Sequence, residues 1–230
     1  MGWVQSIDLP MRQNERFMMD YLDRVVYVIK QKVPFVYTLL EKASSGLTSF
    51  LYRGGIRRAM EAGTLTGTVG GKQAVIRCLT VADSEPLTEM LERQPEEHLT
   101  YFHLHGFDRD SLRRILRRRS VMTYGLFVDN RLCAYALLKL FPTRKAYLGR
   151  LVSPEMAGKG LGKFLSRYLY WQAYLLGFQP CSTINKNNLA SLKSHEAVRP
   201  FHVVSTLPND FLLIRFELTE SDKRAPLLDL

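Results

Sequence analysis

The stretch Leu151-Val152-Ser153-Pro154-Glu155-Met156-Ala157-Gly158-Lys159-Gly160-Leu161-Gly162-Lys163-Phe164-Leu165 decides how this chain is read. It joins an apolar strand, expected over Lys145 to Val152, to an apolar-patterned helix expected over Leu161 to Leu176. Glycines in the connecting loop let the backbone approach a bulky anion with no side chain in the way. The helix N-terminus adds unpaired N–H groups and roughly half a positive charge. Together they suit a pyrophosphate, with Lys159 and Lys163 as further positive charges. Gly158-x-Gly160-x-Gly162 is not G-x-G-x-x-G, and no acidic residue follows at a fitting strand end; the G-K-[ST] ending of a P-loop is also missing. The alternative for the loop is a tight turn with a structural role only.

On either side of this stretch, strands and helices alternate irregularly. Gln73 to Leu79 reads as a strand and Glu85 to Arg93 as a helix. A helix near Asp110 to Arg119 gathers Leu112, Ile115 and Leu116 on one face and Arg113, Arg114, Arg117 and Arg118 largely on the other. Met122 to Val128 and Leu132 to Leu140 flank Asp129-Asn130, a hairpin signal. A strand at Pro180 to Ile184, a helix at Asn188 to Ala197, and apolar runs at His202 to Thr206 and Phe211 to Leu218 follow. Such an order predicts an α/β (α+β) domain, a sheet with helices on its faces.

The glycine loop resembles the coenzyme-A loop of the GNAT N-acetyltransferases, a strand followed by V-x-P and R/Q-x-x-G-x-G/A. Gly160 and Gly162 match the last glycines, and Ala157 replaces the leading Arg or Gln. Asn188-Leu189-Ala190-Ser191-Leu192-Lys193-Ser194-His195 is similar to that family's second signature, N-x-x-[SA]-x-x-x-Y. Ala74 to Asp83 looks like its opening strand and turn. The resemblance covers about Lys72 to Leu218 and implies a mixed, mostly antiparallel central sheet flanked by helices. It implies acetyl-coenzyme A as acyl donor, a primary amine as acceptor, and no metal.

By the same resemblance, the strand ending at Leu151 and Val152 splays from its neighbour, and the Val152 N–H polarises the thioester carbonyl. Cofactor contacts fall to Leu151, Val152, Ala157, Gly158, Lys159, Gly160, Leu161, Gly162, Lys163, Asn188 and Ser191. The family's proton donor is a tyrosine where this chain has His195, and a histidine that titrates near neutrality can donate that proton. Its usual Gly-Phe after that helix is replaced around Arg199-Pro200-Phe201. No carboxylate occurs in Tyr147 to Arg150, where some members place a base. Glu96, Glu97, His98, Tyr101, Phe102, His103 and His105 precede the arginine-rich helix, where the family often builds its acceptor wall. Glu97, Tyr101, His103 and His105 are the candidates for substrate contact, with a solvated loop as the alternative. Their spacing matches no zinc pattern. Exposed arginines beside them suit a phosphate-bearing acceptor such as a nucleotide-linked amino sugar.

Residues 1 to 62 read as a helical extension. Met18, Leu22, Val25, Ile29, Val33, Val36 and Leu40 recur at helical spacing, with Pro34 expected to kink or split the helix. A second helix is expected from Ser45 to Ala62. These helices suit packing on the main domain, a homodimer, or a peripheral membrane surface. Gly63 to Gly71 reads as a linker, 72 to 218 as the acetyltransferase-like domain and 219 to 230 as a tail.

Composition narrows the function classes. The chain is 46% hydrophobic and 23% charged, ordinary for a globular protein. Its longest uncharged N-terminal stretch, Val33 to Leu40, falls far below the ~20 residues of a membrane span. Cys78, Cys133 and Cys181 are scattered inside apolar runs, as buried free thiols of a reducing cytoplasm are. The formal net charge of +10 calls for polyanionic partners. Nucleic acid is not expected, because no binding module or interleaved aromatic pattern is seen. A coenzyme-A-binding scaffold that has lost catalysis is the alternative function, motivated by Ala157 and His195.

Overall fold

A computed structural model describes residues 34–100, 102 and 106–230. The expected amphipathic helix before Pro34 lies outside the described residues. From Pro34 a helix, α1 (Pro34–Leu51), runs past the expected start at Ser45 and breaks at Tyr52 before α2 (Arg53–Ala62). A boundary between two compact units falls between Leu40 and Glu41. Residues 41 to 62 therefore belong with the larger unit, not with a separate extension ending at 62.

The larger unit is built on one eight-stranded sheet in the order β1-β2-β3-β4-β5-β6-β8-β7. Its strands are β1 (Leu65–Val69), β2 (Lys72–Cys78), β3 (Val121–Val128), β4 (Arg131–Leu140), β5 (Lys145–Val152), β6 (Gln179–Asn185), β7 (Phe201–Leu207) and β8 (Phe211–Phe216). All neighbours are antiparallel except β5 and β6. That one parallel pair needs a crossover, supplied by α6 (Leu161–Leu176). Asp129 and Asn130 both take positive φ (49° and 64°), as the tight hairpin between β3 and β4 requires.

Residue alternation along β4 feeds two cores. Ala134, Ala136 and Leu138 join Ile76, Tyr124, Leu148, Phe164, Leu165 and Tyr168 under α6 and α2. Tyr135 and Leu137 face the other way, joining Leu87, Met90, Leu112, Ile115 and Leu151. This second core lies under α3 (Ser84–Glu92) and α5 (Arg109–Arg117), the arginine-rich helix; α4 (Glu96–Thr100) is a short turn between them. Glu41 fixes the start of the larger unit by pairing with Lys139 of β4 and with Arg118 at 3.3 Å. Burial pushes its pKa up, but the two cations outweigh this and hold it below the ordinary value.

Two expectations are corrected. Gly63 to Gly71, expected as a linker, contains β1, which pairs with β2 from Leu65↔Ile76 to Val69↔Lys72. Residues 219–230, expected as a tail, are fastened at both ends. Arg199 forks onto Asp222 at 2.6 and 2.8 Å, and Asp222 caps the turn after Thr219. Further on, Thr68 donates to the Leu228 carbonyl at 2.8 Å and Leu230 donates back to Thr68 at 3.1 Å, with Leu228 buried. Gly67 makes that approach feasible, since a Cβ there would lie 1.7 Å from the Leu228 oxygen. Gly67→Ala should therefore release the 226–230 segment and lose about 1.5–3 kcal/mol, the worth of one buried leucine. Urea unfolding and amide exchange at Thr68 and Leu230 would read the loss.

Candidate functional site

β5 and β6 are partners over a short length only. Lys145, Ala146 and Tyr147 face Gln179, Pro180 and Cys181, and Pro180 has no N–H to give that ladder. Beyond Tyr147, β5 stays in register with β4 as far as Val152, while β6 stays in register with β8 as far as Asn185. Each strand keeps its outer partner and loses the inner one, so a wedge opens between Leu148–Val152 and Ser182–Asn185.

The register also aims the backbone. Ala134 stands opposite Val152, and the Ser153 N–H donates to the Cys133 carbonyl at 2.9 Å. In an antiparallel ladder this makes Val152 and Ala134 a non-hydrogen-bonded pair, so the N–H of Val152 points away from β4 and into the wedge. Ser153, the next residue, is fully buried with no partner for its hydroxyl.

The glycine loop sits at the mouth. Met156 is buried and anchors it, while Glu155 pairs with Arg131 at the start of β4 at 2.8 Å. Gly158 and Gly160 adopt φ of +77° and +79°, the left-handed region that favours glycine. A Cβ on Gly158 would meet nothing within 4 Å, which leaves open space beside the loop. Gly160 caps α6, whose first N–H groups have no intrahelical acceptor. Ala157, Lys159 and Lys163 are exposed, whereas Leu151 and Leu161 are buried in the cores and offer only backbone atoms.

From the opposite side comes α7 (Leu189–Glu196). The Asn188 side chain accepts from the Ser191 N–H at 3.0 Å, so these two residues are engaged with each other as the cap of α7. That cap sets the phase of the helix and carries Ser194 and His195 to Arg150 of β5. The Arg150 guanidinium lies 2.7 Å from His195 Nε2 and donates to the Ser194 hydroxyl at 2.8 Å. His195 is only 2% exposed and stacks near Phe216, with ring centres 5.0 Å apart. Burial first, and the Arg150 charge second, hold its pKa well below the ordinary imidazole value. The expectation that His195 titrates near neutrality is thus corrected: the ring is neutral and accepts from Arg150. Burial likewise lowers the Arg150 guanidinium, to about 10. Neither Arg150 nor Ser194 had been singled out, although an arginine within the apolar run Tyr147 to Val152 was the available signal.

Tyr101, His103 and His105, expected to contact substrate, lie outside the described residues, as does the Glu97 side chain. Phe102 packs between Phe107 and Tyr135, at 5.8 and 6.4 Å between ring centres. Tyr135 is the register partner of Leu151, so Phe102 lies over the strands next to Val152. No group of three or more His, Cys, Asp or Glu side chains able to hold a metal occurs among the described residues. None of the described helices is long and apolar enough to cross a membrane.

No protein-family model and no curated protein matches the sequence. Solved structures do match. The GNAT domain of S. lividans PAT superposes with a TM-score of 0.61 at 16% identity, over 68% of this chain and 97% of that one. The PaiA N-acetyltransferase from Thermoplasma acidophilum, in complex with coenzyme A, gives 0.53 at 18%, over 63% and 98%. Mycobacterium smegmatis RimJ in complex with CoA-disulfide gives 0.55 at 13%, over 70% and 90%. The chain has the GNAT fold. Within the GNAT fold the wedge, the glycine loop and α7 converge on one place.

A neutral buried His195 has a measurable consequence. Unfolding exposes an imidazole that takes up a proton below about pH 6.5, while the folded form resists it. Its contribution to stability is full above that pH and falls by up to about 1.4 kcal/mol per unit as pH drops further. His195→Phe should flatten this part of the slope in urea unfolding measured from neutral to mildly acidic pH.

Proposed function

We propose that this chain is an N-acetyltransferase that moves an acetyl group from acetyl-coenzyme A to a primary amine. The observation that carries the reading is the Val152 N–H aimed into the wedge beside a loop of left-handed glycines. The residues present suit the donor. Backbone N–H groups from Ala157 to Lys163 would hold its pyrophosphate, with Lys159 and Lys163 as cations at the mouth. Val152 would hold the thioester oxygen, and the partnerless Ser153 hydroxyl lies next to it.

The chemistry follows from those positions. A neutral amine attacks the carbonyl carbon, and the electron pair moves onto oxygen opposite the Val152 N–H. Collapse forms the amide and expels the thiolate; the proton lost by the amine ends on sulfur. Phe102 and its neighbours Glu97, Tyr101, His103 and His105 would line the acceptor side. Arg113, Arg114 and Arg117 are exposed on α5, which suits a phosphate-bearing acceptor such as a nucleotide-linked amino sugar. The three free cysteines suit a cytoplasmic enzyme. The N-terminal residues before Pro34 would serve a second copy or a membrane surface.

The neutral, locked His195 favours a second reading, in which the chain binds coenzyme A without turnover. Thiol release from acetyl-coenzyme A across an amine panel, nucleotide amino sugars included, decides between them. Amine-dependent release is expected; tight binding with no release on any amine would favour the second reading. Gly160→Glu places a carboxylate beside the loop and should weaken acetyl-coenzyme A at least about tenfold, ~1.4 kcal/mol. Unchanged affinity in that variant would remove the loop from the site.

A further inference from the structure

Among the described residues, nothing balances the charge of Arg150. No carboxylate pairs with it among the described residues; Asp222, which shares Tyr170 as an electrostatic neighbour, is held by Arg199. Its partners are the neutral His195 and Ser194. A guanidinium offers five N–H donors in a rigid fork, and these contacts leave some of them free. Tyr170 of α6, fully buried with a partnerless hydroxyl, lies within electrostatic reach. Arg150 is half-buried, and a cation partly withdrawn from water among neutral groups is costly unless an anion joins it. Two residues along β5 is one pleat repeat, about 6.6 Å, so Arg150 sits one repeat deeper in the wedge than Val152. Its side chain crosses from β5 to α7.

We propose that Arg150 is a catalytic residue that receives the coenzyme-A sulfur as a thiolate, and that His195 is a positioning residue holding the guanidinium at that spot. This rests on the acetyl-coenzyme A reading above. The carbonyl oxygen at the Val152 N–H and the sulfur are bonded to the same carbon, so a sulfur directed toward the strand apex comes within reach of Arg150. When the C–S bond breaks, its electron pair stays on sulfur, beside the guanidinium. Arg150 keeps its own protons, and the proton that neutralises the thiolate is the one released by the acceptor amine. His195 accepts from Arg150 and supplies none. A half-buried arginine, charged across the neutral range, thereby takes over stabilisation of a leaving group that a proton donor would otherwise assist.

The test titrates the thiol of coenzyme A bound to the full chain, from about pH 6 to pH 9, by ultraviolet thiolate absorbance. The groups around Arg150 are Ser194 and His195 from α7, Tyr170 from α6 and the Arg199–Asp222 pair, so variants separate their effects. In the wild type the bound thiol should titrate at least about one unit below free coenzyme A, a tenfold rise in acidity. Arg150→Lys should keep the shift and Arg150→Gln should abolish it. His195→Phe and Ser194→Ala should shrink it while cofactor affinity, read by calorimetry near about pH 6 where the thiol is protonated both free and bound, stays nearly unchanged. The last two keep the test open if Arg150→Gln fails to fold. A bound thiol that titrates like the free one, or a shift that survives Arg150→Gln, would overturn the assignment alone. Failure of the wild type to bind coenzyme A would overturn the acetyltransferase reading and this inference together.

Discussion

Everything at the site depends on β5 being held firmly on one side only. Its ladder with β4 runs the length of the strand, whereas its ladder with β6 stops at Tyr147↔Cys181. β6 meanwhile is bound to β8 from Cys181 onward. The sheet is thus two antiparallel blocks joined by a short parallel seam, and backbone donors that a continuous sheet would consume are turned toward the gap. An oriented N–H there needs no rearrangement when charge develops on a nearby oxygen.

The same constraint explains how charge is arranged. Cations exposed at the mouth, Lys159 and Lys163, face solvent and suit a mobile polyanion. The cation deeper in, Arg150, is fastened by two neutral partners. Elsewhere the larger unit pairs several of its less exposed cations with carboxylates: Arg199 with Asp222, Arg77 with Asp83 at 2.6 Å, and Lys139 with Glu41. Beside those pairs, a half-buried Arg150 held by neutral partners carries a charge that is costly to leave uncompensated.

Much of the fold was legible in residue order. The strand at Lys145 to Val152 and the helix at Leu161 to Leu176 appear with the expected bounds, because an apolar run, glycines and a second apolar run punctuate them sharply. Gly177, in the left-handed conformation, ends the helix where the pattern ended. β1 was missed because Leu65-Thr-Gly-Thr-Val69 has too few apolar residues to read as a strand. Its stability comes from pairing with β2 and from the distant Leu228 segment, neither of which leaves a local mark. At the site, the glycine loop could be read because left-handed turns demand glycine. The state of His195 could not, since its neutrality arises from burial beside Phe216 and from Arg150, forty-five residues earlier in the chain.

The central claim is that the wedge and its glycine loop hold an acyl-coenzyme A. Calorimetric titration of the full chain with acetyl-coenzyme A, coenzyme A and NADH tests it most directly. The account predicts tight binding of both coenzyme-A species and none of NADH, whose pyrophosphate lacks a pantetheine arm to enter the wedge. Absence of coenzyme-A binding, or equal binding of all three, would contradict it.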